Sequence, residues 1–295
     1  MMETPRNPEE SKTPEAGAVS DTVTDHYARS GSLAQRILDL AHGLAGGGPT
    51  VDDLAPLDQF HMRGEEATVE FAEMVAPQAG WFCVDLGCGI GGPARWLAAH
   101  CGVEVLGLDL TESYCRDAAS LSRAIGLSDR VRFACADATG LPLAEDSLDL
   151  VWTQHAAMNV PDKKALYREV ARVLKRGGRL ALHDIMAGPE GPPHFPVPWA
   201  ATPEGSFLLP SGEIRTLLAA AGLEELVWHD HTADALAWIH RRRADLEAGE
   251  PRPPGPHLFL GDGFKEMASN LGRNLEEGRI TVHMALLEKT SVPYA

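Results

Sequence analysis

Val84-Asp85-Leu86-Gly87-Cys88-Gly89-Ile90-Gly91-Gly92 is the stretch of sequence that decides the fold. An apolar run ends at this point, alternate residues then become glycine, and a helical pattern begins at Gly92. Glycines after a buried strand allow a tight turn into a helix and let the backbone approach a ligand closely. The stretch therefore predicts a strand, a ligand-binding turn and a helix, with the ligand beyond the carboxyl end of the strand.

The sequence around this stretch alternates short apolar runs with helical patterns. The predicted strands are residues 81–85, 103–108, 130–135, 148–152, 179–185, 223–229 and 279–288. Their nearly continuous apolar character suits strands that are buried on both faces of a parallel sheet. Because the chain ends with a strand, a helical insert and another strand, we expect the last strand to be antiparallel. The prediction is an α/β protein with a Rossmann-like, doubly wound, mostly parallel sheet of seven strands.

The remaining regions are assigned from their composition and periodicity. The predicted regions are a disordered tail (1–22), an N-terminal helical lid (23–78) and a core (79–290) with substrate-cap segments at 188–210 and 232–278. The tail alternates charges with Pro and small residues and has no periodic pattern. Within the lid, residues 50–64 are predicted to be irregular, between two helices.

Charge and composition exclude several classes of function. The 295 residues include 26 Lys+Arg and 42 Asp+Glu, a formal net charge of −16. This charge argues against binding to nucleic-acid phosphates or to an anionic membrane surface, and no apolar run reaches the ~18 residues of a membrane helix. The five cysteines form no C-x-x-C pair, so we predict reduced, buried thiols and no metal site. We expect a cytoplasmic protein with a small-molecule partner, and a homodimer is one option for its oligomeric state.

Acidic residues at the strand ends narrow the choice of ligand. The glycines alone also match the fingerprint of dinucleotide-binding proteins. Asp109 could bind a ribose diol, and nicotinamide enzymes share this feature. Asp85 would repel a pyrophosphate but suits a cationic group. Asp137 and Ala138 follow the third strand, where a carboxylate could accept a hydrogen bond from an adenine amino group.

The sequence resembles the class I S-adenosylmethionine-dependent methyltransferases in one ordered set of features: Asp85, the glycines, Asp109 and Asp137. The resemblance covers roughly residues 81–288. Four motifs are similar to the subgroup described as sarcosine/dimethylglycine N-methyltransferases: Asp58-Gln-Phe-His-Met-Arg-Gly64, Gly87-Cys-Gly-Ile-Gly-Gly-Pro-Ala-Arg95, Trp152-Thr-Gln-His-Ala-Ala-Met-Asn159 and Pro196-Val-Pro-Trp-Ala200. The resemblance implies S-adenosyl-L-methionine as cofactor, S-adenosyl-L-homocysteine as product, and N-methylation of a small amine such as sarcosine or dimethylglycine.

Strand-end position and resemblance together define the candidate site. The predicted cofactor-binding residues are Tyr27, His61, Arg63, Asp85, Gly87, Gly89, Gly91, Asp109, Leu110, Asp137, Ala138 and Gln154. The predicted substrate-binding residues are Arg63, His155, Met158, Asn159, Trp199 and Phe207. His155 is the catalytic candidate, because it alone in its segment titrates near neutrality. The alternative for His155 is an imidazole bonded to the backbone without chemistry, and for Arg63 a surface residue rather than a carboxylate ligand.

Other functions remain open at this point. Aromatic residues in the cap suit O-, N- or C-methylation of a larger natural-product metabolite equally well. A non-catalytic protein that binds S-adenosylmethionine is a further alternative. An NAD-dependent oxidoreductase is disfavoured by Asp85 and by the strand order.

Overall fold

The computed structural model describes residues 32–44, 48–250, 255–258, 261 and 263–290. The predicted tail and Tyr27 lie outside these residues. The described strands are β1 (Phe82–Leu86), β2 (Glu104–Asp109), β3 (Val131–Cys135), β4 (Leu148–Gln154), β5 (Leu174–Ala187), β6 (Leu223–Asp230) and β7 (Ile280–Lys289). The described helices are α1 (Leu33–Leu44), α2 (Val51–Asp58), α3 (Gly64–Val75), α4 (Gly92–Cys101), α5 (Glu112–Ala124), α6 (Lys163–Val173), α7 (Ser211–Ala220), α8 (Thr232–Glu247) and α9 (Phe264–Glu276).

The seven described strands form one sheet in the order β3-β2-β1-β4-β5-β7-β6. Strands β1 to β5 pair in parallel, and β7 runs antiparallel to both of its neighbours, β5 and β6. The predicted α/β fold, with a mostly parallel sheet and an antiparallel last strand, is confirmed. Strand order reverses direction at β1 and β4, which is where ligands bind in open α/β sheets.

Alternate residues of the strands build two apolar layers, one on each face of the sheet. Val84 and Leu86 of β1 pack in one cluster with α6 and α7, whereas Cys83 packs in another with α3 and α4. Side chains of a strand alternate between the two faces, so a strand that is covered by helices on both sides must be apolar throughout. This requirement explains the uninterrupted apolar runs in the sequence.

Helix α2 corrects the prediction that residues 50–64 are irregular. Thr50 and Asp53 form a capping box: Thr50 Oγ1 accepts from the Asp53 N–H at 3.3 Å, and Asp53 Oδ2 accepts from the Thr50 N–H at 2.8 Å. Leu54 and Leu57 are fully buried. The cap and this buried face outweigh the hydrogen bond that Pro56 cannot donate inside the helix.

Two further predictions need correction in detail. Strand β5 begins at Leu174 rather than at residue 179, through a register shift in its pairing with β4. All five cysteines are free, but Cys135 is exposed and Cys101 half-buried, so burial of every thiol was wrong. Cys135 ends β3, which is an edge strand and therefore lacks a neighbour on one side. Among the described helices, none is long and apolar enough to cross a membrane.

Candidate active site

The carboxyl ends of β1, β2 and β4 open onto one cavity of about 1140 Å³. Carboxyl ends of parallel strands meet at the same edge of a sheet, so residues distant in sequence converge there. The cavity is lined by these predicted site residues: His61, Arg63, Asp85, Gly87, Gly89, Asp109, Leu110, Asp137, Ala138, Gln154, His155, Met158, Asn159 and Trp199. Gly91 and Phe207 do not line it.

Asp85 is a buried carboxylate at the base of this cavity. Its side chain is only 2% exposed, and its Oδ2 has no hydrogen-bond partner among the described residues. Burial, together with the nearby charge of Asp109, raises the pKa of Asp85 to about 7. A desolvated carboxylate oxygen without a donor favours a cationic or hydrogen-bonding ligand group.

The glycine turn places backbone against the strand ends. Gly87 has a φ of 76°, and a Cβ at this position would collide with the side chain of Ala156. The Gly89 N–H donates to Asp109 Oδ2 at 2.8 Å, which fixes the turn to the end of β2. Gly91 instead packs against the ring of Phe133, behind the turn. The close approach that needs glycine at this position is to a side chain of β3, and the place of Gly91 in the cofactor set stays a prediction.

Asp109 and Asp137 occupy the far side of the glycine turn. Asp109 Oδ1 accepts from the Thr111 N–H at 2.8 Å, so each of its oxygens has one backbone donor and keeps acceptor capacity. Burial raises the pKa of Asp109, against the effect of these two hydrogen bonds. Asp137 is exposed, and its Oδ1 accepts from the N–H and the hydroxyl of Thr139 at 2.8 Å. Both carboxylates are held by local backbone and can accept from a ligand.

Three histidines converge where β4 and β5 meet the cavity. The ring centroids of His155 and His183 are 4.8 Å apart, and His61 lies 6.0 Å from His155 and 5.9 Å from His183. Burial lowers the pKa of His155 and of His183 well below the ordinary histidine value, and lowers that of His61 to about 4. Three imidazoles this close cannot all carry charge without a carboxylate, so the cluster is neutral at pH 7.

His155 presents its imidazole to the cavity in an unusual backbone conformation. It has a φ of 51°, and its backbone N–H donates to the His183 carbonyl at 2.8 Å. Its Nε2 is buried and has no partner among the described residues. A left-handed conformation is costly for a residue other than glycine and clusters at functional sites. The backbone of His155 is bonded while its ring is not, so the ring is available to a ligand.

Gln154 and His61 belong to a hydrogen-bonded network beside the cavity. Gln154 Oε1 accepts from Trp152 Nε1 at 2.8 Å, and Gln154 Nε2 lies 3.3 Å from His183 Nδ1. His61 Nε2 lies 2.9 Å from Gln59 Oε1. These contacts orient the rings and leave few polar atoms of Gln154 for a ligand.

Arg63 lies in the cavity wall but is not a free cation. Its guanidinium pairs with Glu66 at 3.3 Å and with Glu70 at 2.6 Å. Its Nη1 is buried and has no partner in the part of the chain that the structure describes. Two carboxylates offset the single positive charge, which weakens Arg63 as a ligand for a substrate carboxylate and leaves Nη1 as a hydrogen-bond donor.

The cap loop after β5 is tied to the segment that follows β4. Asn159 Nδ2 donates to the carbonyls of Trp199 at 2.8 Å and Gly205 at 3.0 Å. Met158 packs in an apolar cluster with Trp199, whose Nε1 donates to Ser206 Oγ at 2.9 Å. Phe207 donates its N–H to the Met158 carbonyl at 2.9 Å. Phe207 therefore bonds to this segment through its backbone, and its place in the substrate wall stays a prediction.

Several polar residues near the cavity were missed in the sequence. His183 and Asp184 are adjacent and buried within β5, and burial raises the pKa of Asp184 to about 7. Lys163 Nζ is also buried and donates to the carbonyls of Ala157 at 2.6 Å and Val160 at 3.0 Å. A His-Asp pair inside an otherwise apolar strand was the available signal. No group of three or more His, Cys, Asp or Glu within the described ranges could hold a metal ion.

Comparison with known proteins identifies the domain. Residues 84–182 match the family model described as a methyltransferase domain. The methyltransferase GfsG of Streptomyces halstedii is 38% identical over 170 residues, covering 57% of this chain and 59% of that protein. The sarcosine/dimethylglycine N-methyltransferase of Halorhodospira halochloris is 27% identical over 199 residues, covering 68% of this chain and 71% of that protein.

The fold is shared with solved methyltransferase structures. Geranyl diphosphate C-methyltransferase from Streptomyces coelicolor A3(2), crystallised with Mg²⁺, geranyl diphosphate and S-adenosyl-L-homocysteine, gives a TM-score of 0.69. It is 21% identical, and the match covers 94% of this chain and 100% of that chain. The chain therefore contains a methyltransferase domain with the class I, S-adenosylmethionine-dependent fold, as the sequence motifs predicted. It spans less than two thirds of the length of GfsG.

Proposed function

We propose that this chain is an S-adenosylmethionine-dependent methyltransferase that methylates a hydroxyl group of a bulky, largely apolar small molecule. One observation carries the proposal: Asp85 and His155 line the same cavity, and each has one buried side-chain atom without a partner among the described residues, Oδ2 of Asp85 and Nε2 of His155. The first suits a cation and the second suits an acidic proton. A cationic methyl donor and a hydroxyl acceptor supply these two partners.

The residues at the strand ends fit the cofactor. Asp85 would bind its ammonium group, Asp109 its ribose hydroxyls and Asp137 its adenine amino group, because each carboxylate keeps acceptor capacity toward the cavity. The collision of a Cβ at Gly87 with Ala156 shows how little room the turn leaves for side chains beside this site. When bound, S-adenosylmethionine supplies an electrophilic methyl group on a sulfonium.

His155 would accept the proton of the acceptor hydroxyl. A neutral alcohol or phenol is a weak nucleophile, and a positioned base raises the rate of such a step by ~10²–10⁴-fold. Burial keeps His155 neutral at pH 7, so its lone pair is available without prior deprotonation. An amine acceptor needs only to be neutral and aligned, and makes no comparable use of this residue.

The ion pairs of Arg63 and the apolar wall of the cap favour a larger acceptor over a small zwitterion such as sarcosine. Arg63 shares its charge with Glu66 and Glu70, so a free carboxylate would gain little there. The cofactor and the acceptor would share the volume of about 1140 Å³, against the ~300–1,000 Å³ that is usual for a single small-molecule site. The cap contributes apolar wall, including Trp199, Trp238 and Ile239.

N-methylation of sarcosine or dimethylglycine is the second candidate. It is favoured by the Nη1 atom of Arg63, a buried donor without a partner in the described chain, in the cavity wall. The similarity to a sarcosine/dimethylglycine N-methyltransferase also supports it. Under this alternative, Arg63 would bind the substrate carboxylate, and replacement of His155 would change turnover little.

The test is a mass-spectrometric turnover assay with S-adenosylmethionine. It compares glycine, sarcosine and dimethylglycine with a panel of phenols, alcohols and amines of increasing size. Methylated phenol or alcohol products, absent with the His155→Asn variant, would support the proposal. Efficient conversion of sarcosine or dimethylglycine instead would establish the second candidate. Stabilisation by NAD but not by S-adenosyl-L-homocysteine in a thermal shift assay would overturn both.

A further inference from the structure

Asp58 is a further carboxylate in the cavity, to which the sequence analysis gave no role although it begins one of the four motifs. It ends α2, is only 4% exposed, and lies in the cavity wall. Its Oδ2 accepts from Arg95 Nη2 at 2.8 Å, whereas its Oδ1 is buried without a partner among the described residues. A carboxylate oxygen that is buried and unpaired is costly unless a ligand supplies a donor.

Arg95 holds this carboxylate in place. Its guanidinium is fully buried, and the nitrogen that binds Asp58 also donates to the Ile90 carbonyl in the glycine turn at 2.6 Å. A second nitrogen donates to the Ala118 carbonyl of α5 at 3.2 Å. Burial raises the pKa of Asp58 to about 6, and Arg95 opposes this rise. The pair thus joins α2 to the glycine turn.

Asp58 and Asp85 approach the same turn of helix from two sides. A Cβ on Gly92, the first residue of α4, would lie 2.8 Å from Asp58 Oδ1. Asp85 accepts a hydrogen bond from the Ala94 N–H of the same turn, and the charge of Arg95 acts on Asp85 as well. The N-terminus of a helix favours anions, yet one oxygen of each carboxylate remains without a donor. With both carboxylates ionised, the group of two carboxylates and one guanidinium would carry one net negative charge.

We propose that Asp58 and Asp85 together bind the ammonium end of the cofactor. The inference rests on the proposed function, because it takes S-adenosylmethionine as the ligand. One ammonium group has three donors and one positive charge, enough to donate to one oxygen of each carboxylate and to offset one negative charge of the group.

The test is isothermal titration calorimetry with two ligands that differ only at the end in question. S-adenosyl-L-homocysteine carries the amino-acid end, and 5′-methylthioadenosine keeps the adenosine and the sulfur without it. In Asp58→Asn we expect the affinity for S-adenosyl-L-homocysteine to fall by about tenfold to a hundredfold, because a charge-assisted hydrogen bond is lost. The affinity for 5′-methylthioadenosine should be unchanged. Asp52→Asn is the matched control, since Asp52 lies exposed on the same helix.

The outcomes separate the inference from the function on which it rests. Unchanged binding of S-adenosyl-L-homocysteine by Asp58→Asn, or an equal loss for both ligands, would overturn the role of Asp58. Failure of the wild-type chain to bind S-adenosyl-L-homocysteine would overturn the proposed function as well. If Asp58→Asn does not fold, Asp58→Glu retains the charge that Arg95 needs and displaces the oxygens. The same selective loss is then expected, and its absence contradicts the inference.

Discussion

The imidazole rings of His155 and His183 lie 4.8 Å apart, centroid to centroid, at an interplanar angle of 63°. His155 directly follows β4 and His183 lies in the neighbouring strand β5, and the backbone N–H of His155 donates to the carbonyl of His183. Burial and the nearby His61 lower the pKa of His155, whereas burial and the charges of His155 and His61 lower the pKa of His183. Burial is therefore the main effect that keeps His155 neutral.

Replacement of His155 should separate chemistry from binding. Asn tolerates the left-handed conformation of this position, with its φ of 51°, but cannot act as the base. We expect His155→Asn to lower the turnover of a hydroxyl substrate by ~10²–10⁴-fold while leaving the affinity for S-adenosyl-L-homocysteine unchanged. His229→Asn, at an exposed histidine of β6, is the control. Turnover unchanged at every pH would rule out a base role for His155.

The pH profile of the wild-type enzyme should follow the lowered pKa of His155. A base must be unprotonated, and burial moves the pKa of His155 well below the ordinary value of 6.5. We therefore expect kcat for a hydroxyl substrate to stay level as the pH falls through 6.5 and to decline only at lower pH. Rates at saturating substrate across this range provide the measurement. A decline centred at 6.5 or above would contradict burial as the controlling effect.

His61 should make folding stability depend on pH in a defined direction. Its pKa is about 4 in the folded chain, against 6.5 for an unperturbed histidine, so the unfolded chain binds more protons between these values. The free energy of unfolding therefore falls as the pH drops through this window, by at most about 1.4 kcal/mol per pH unit for this group. In His61→Gln, the stability deficit measured by urea unfolding should shrink between about pH 7.5 and about pH 5.5. An equal deficit at both values would show that His61 is not held neutral.

Gly87 and Gly126 provide a matched pair for the glycine turn. Both have positive φ, 76° and 73°, but a Cβ at Gly87 would collide with Ala156, whereas a Cβ at Gly126 meets no atom within 4 Å. We expect Gly126→Ala to lose about 1–2 kcal/mol of stability from backbone strain alone. Gly87→Ala should lose about 1–3 kcal/mol more stability than Gly126→Ala, because the added methyl group overpacks the site. Gly87→Ala should also lose binding of S-adenosyl-L-homocysteine. Equal effects of the two variants on stability and binding would contradict the role of this close approach.

Asn159 should control acceptor binding through the cap loop. Its side chain donates to two loop carbonyls, and Asn159→Ala leaves both without that donor, at a cost of about 1–3 kcal/mol. We expect a raised KM for the acceptor and an unchanged affinity for S-adenosyl-L-homocysteine. Thr216→Ala removes an exposed hydroxyl that bonds only within α7 and serves as the control. A change in cofactor affinity without a change in KM would contradict this assignment.

Local signals were sufficient for the fold, and they predict a candidate site at one edge of the sheet. A strand is recognised by its own apolar run, and the turn after β1 by its own glycines. Once the strands are parallel, Asp85, Asp109 and Asp137 must lie at one edge, because each follows the carboxyl end of a strand. Helix α2 was missed because Thr50 and Asp53 cap a helix with too few apolar positions to show a period.

The sequence by itself determined the order of the strands along the chain, the glycine turn after β1 and the fold class, because these depend on local periodicity and on residue type. Only the tertiary structure decided that Gly91 packs against the ring of Phe133. It also decided that Arg63 forms ion pairs with Glu66 and Glu70, and that Phe207 does not line the cavity. It also brought Asp58 onto the glycine turn and His183 against His155. Partner choice and desolvation depend on the packing of segments distant in sequence, and no local pattern encodes either of them.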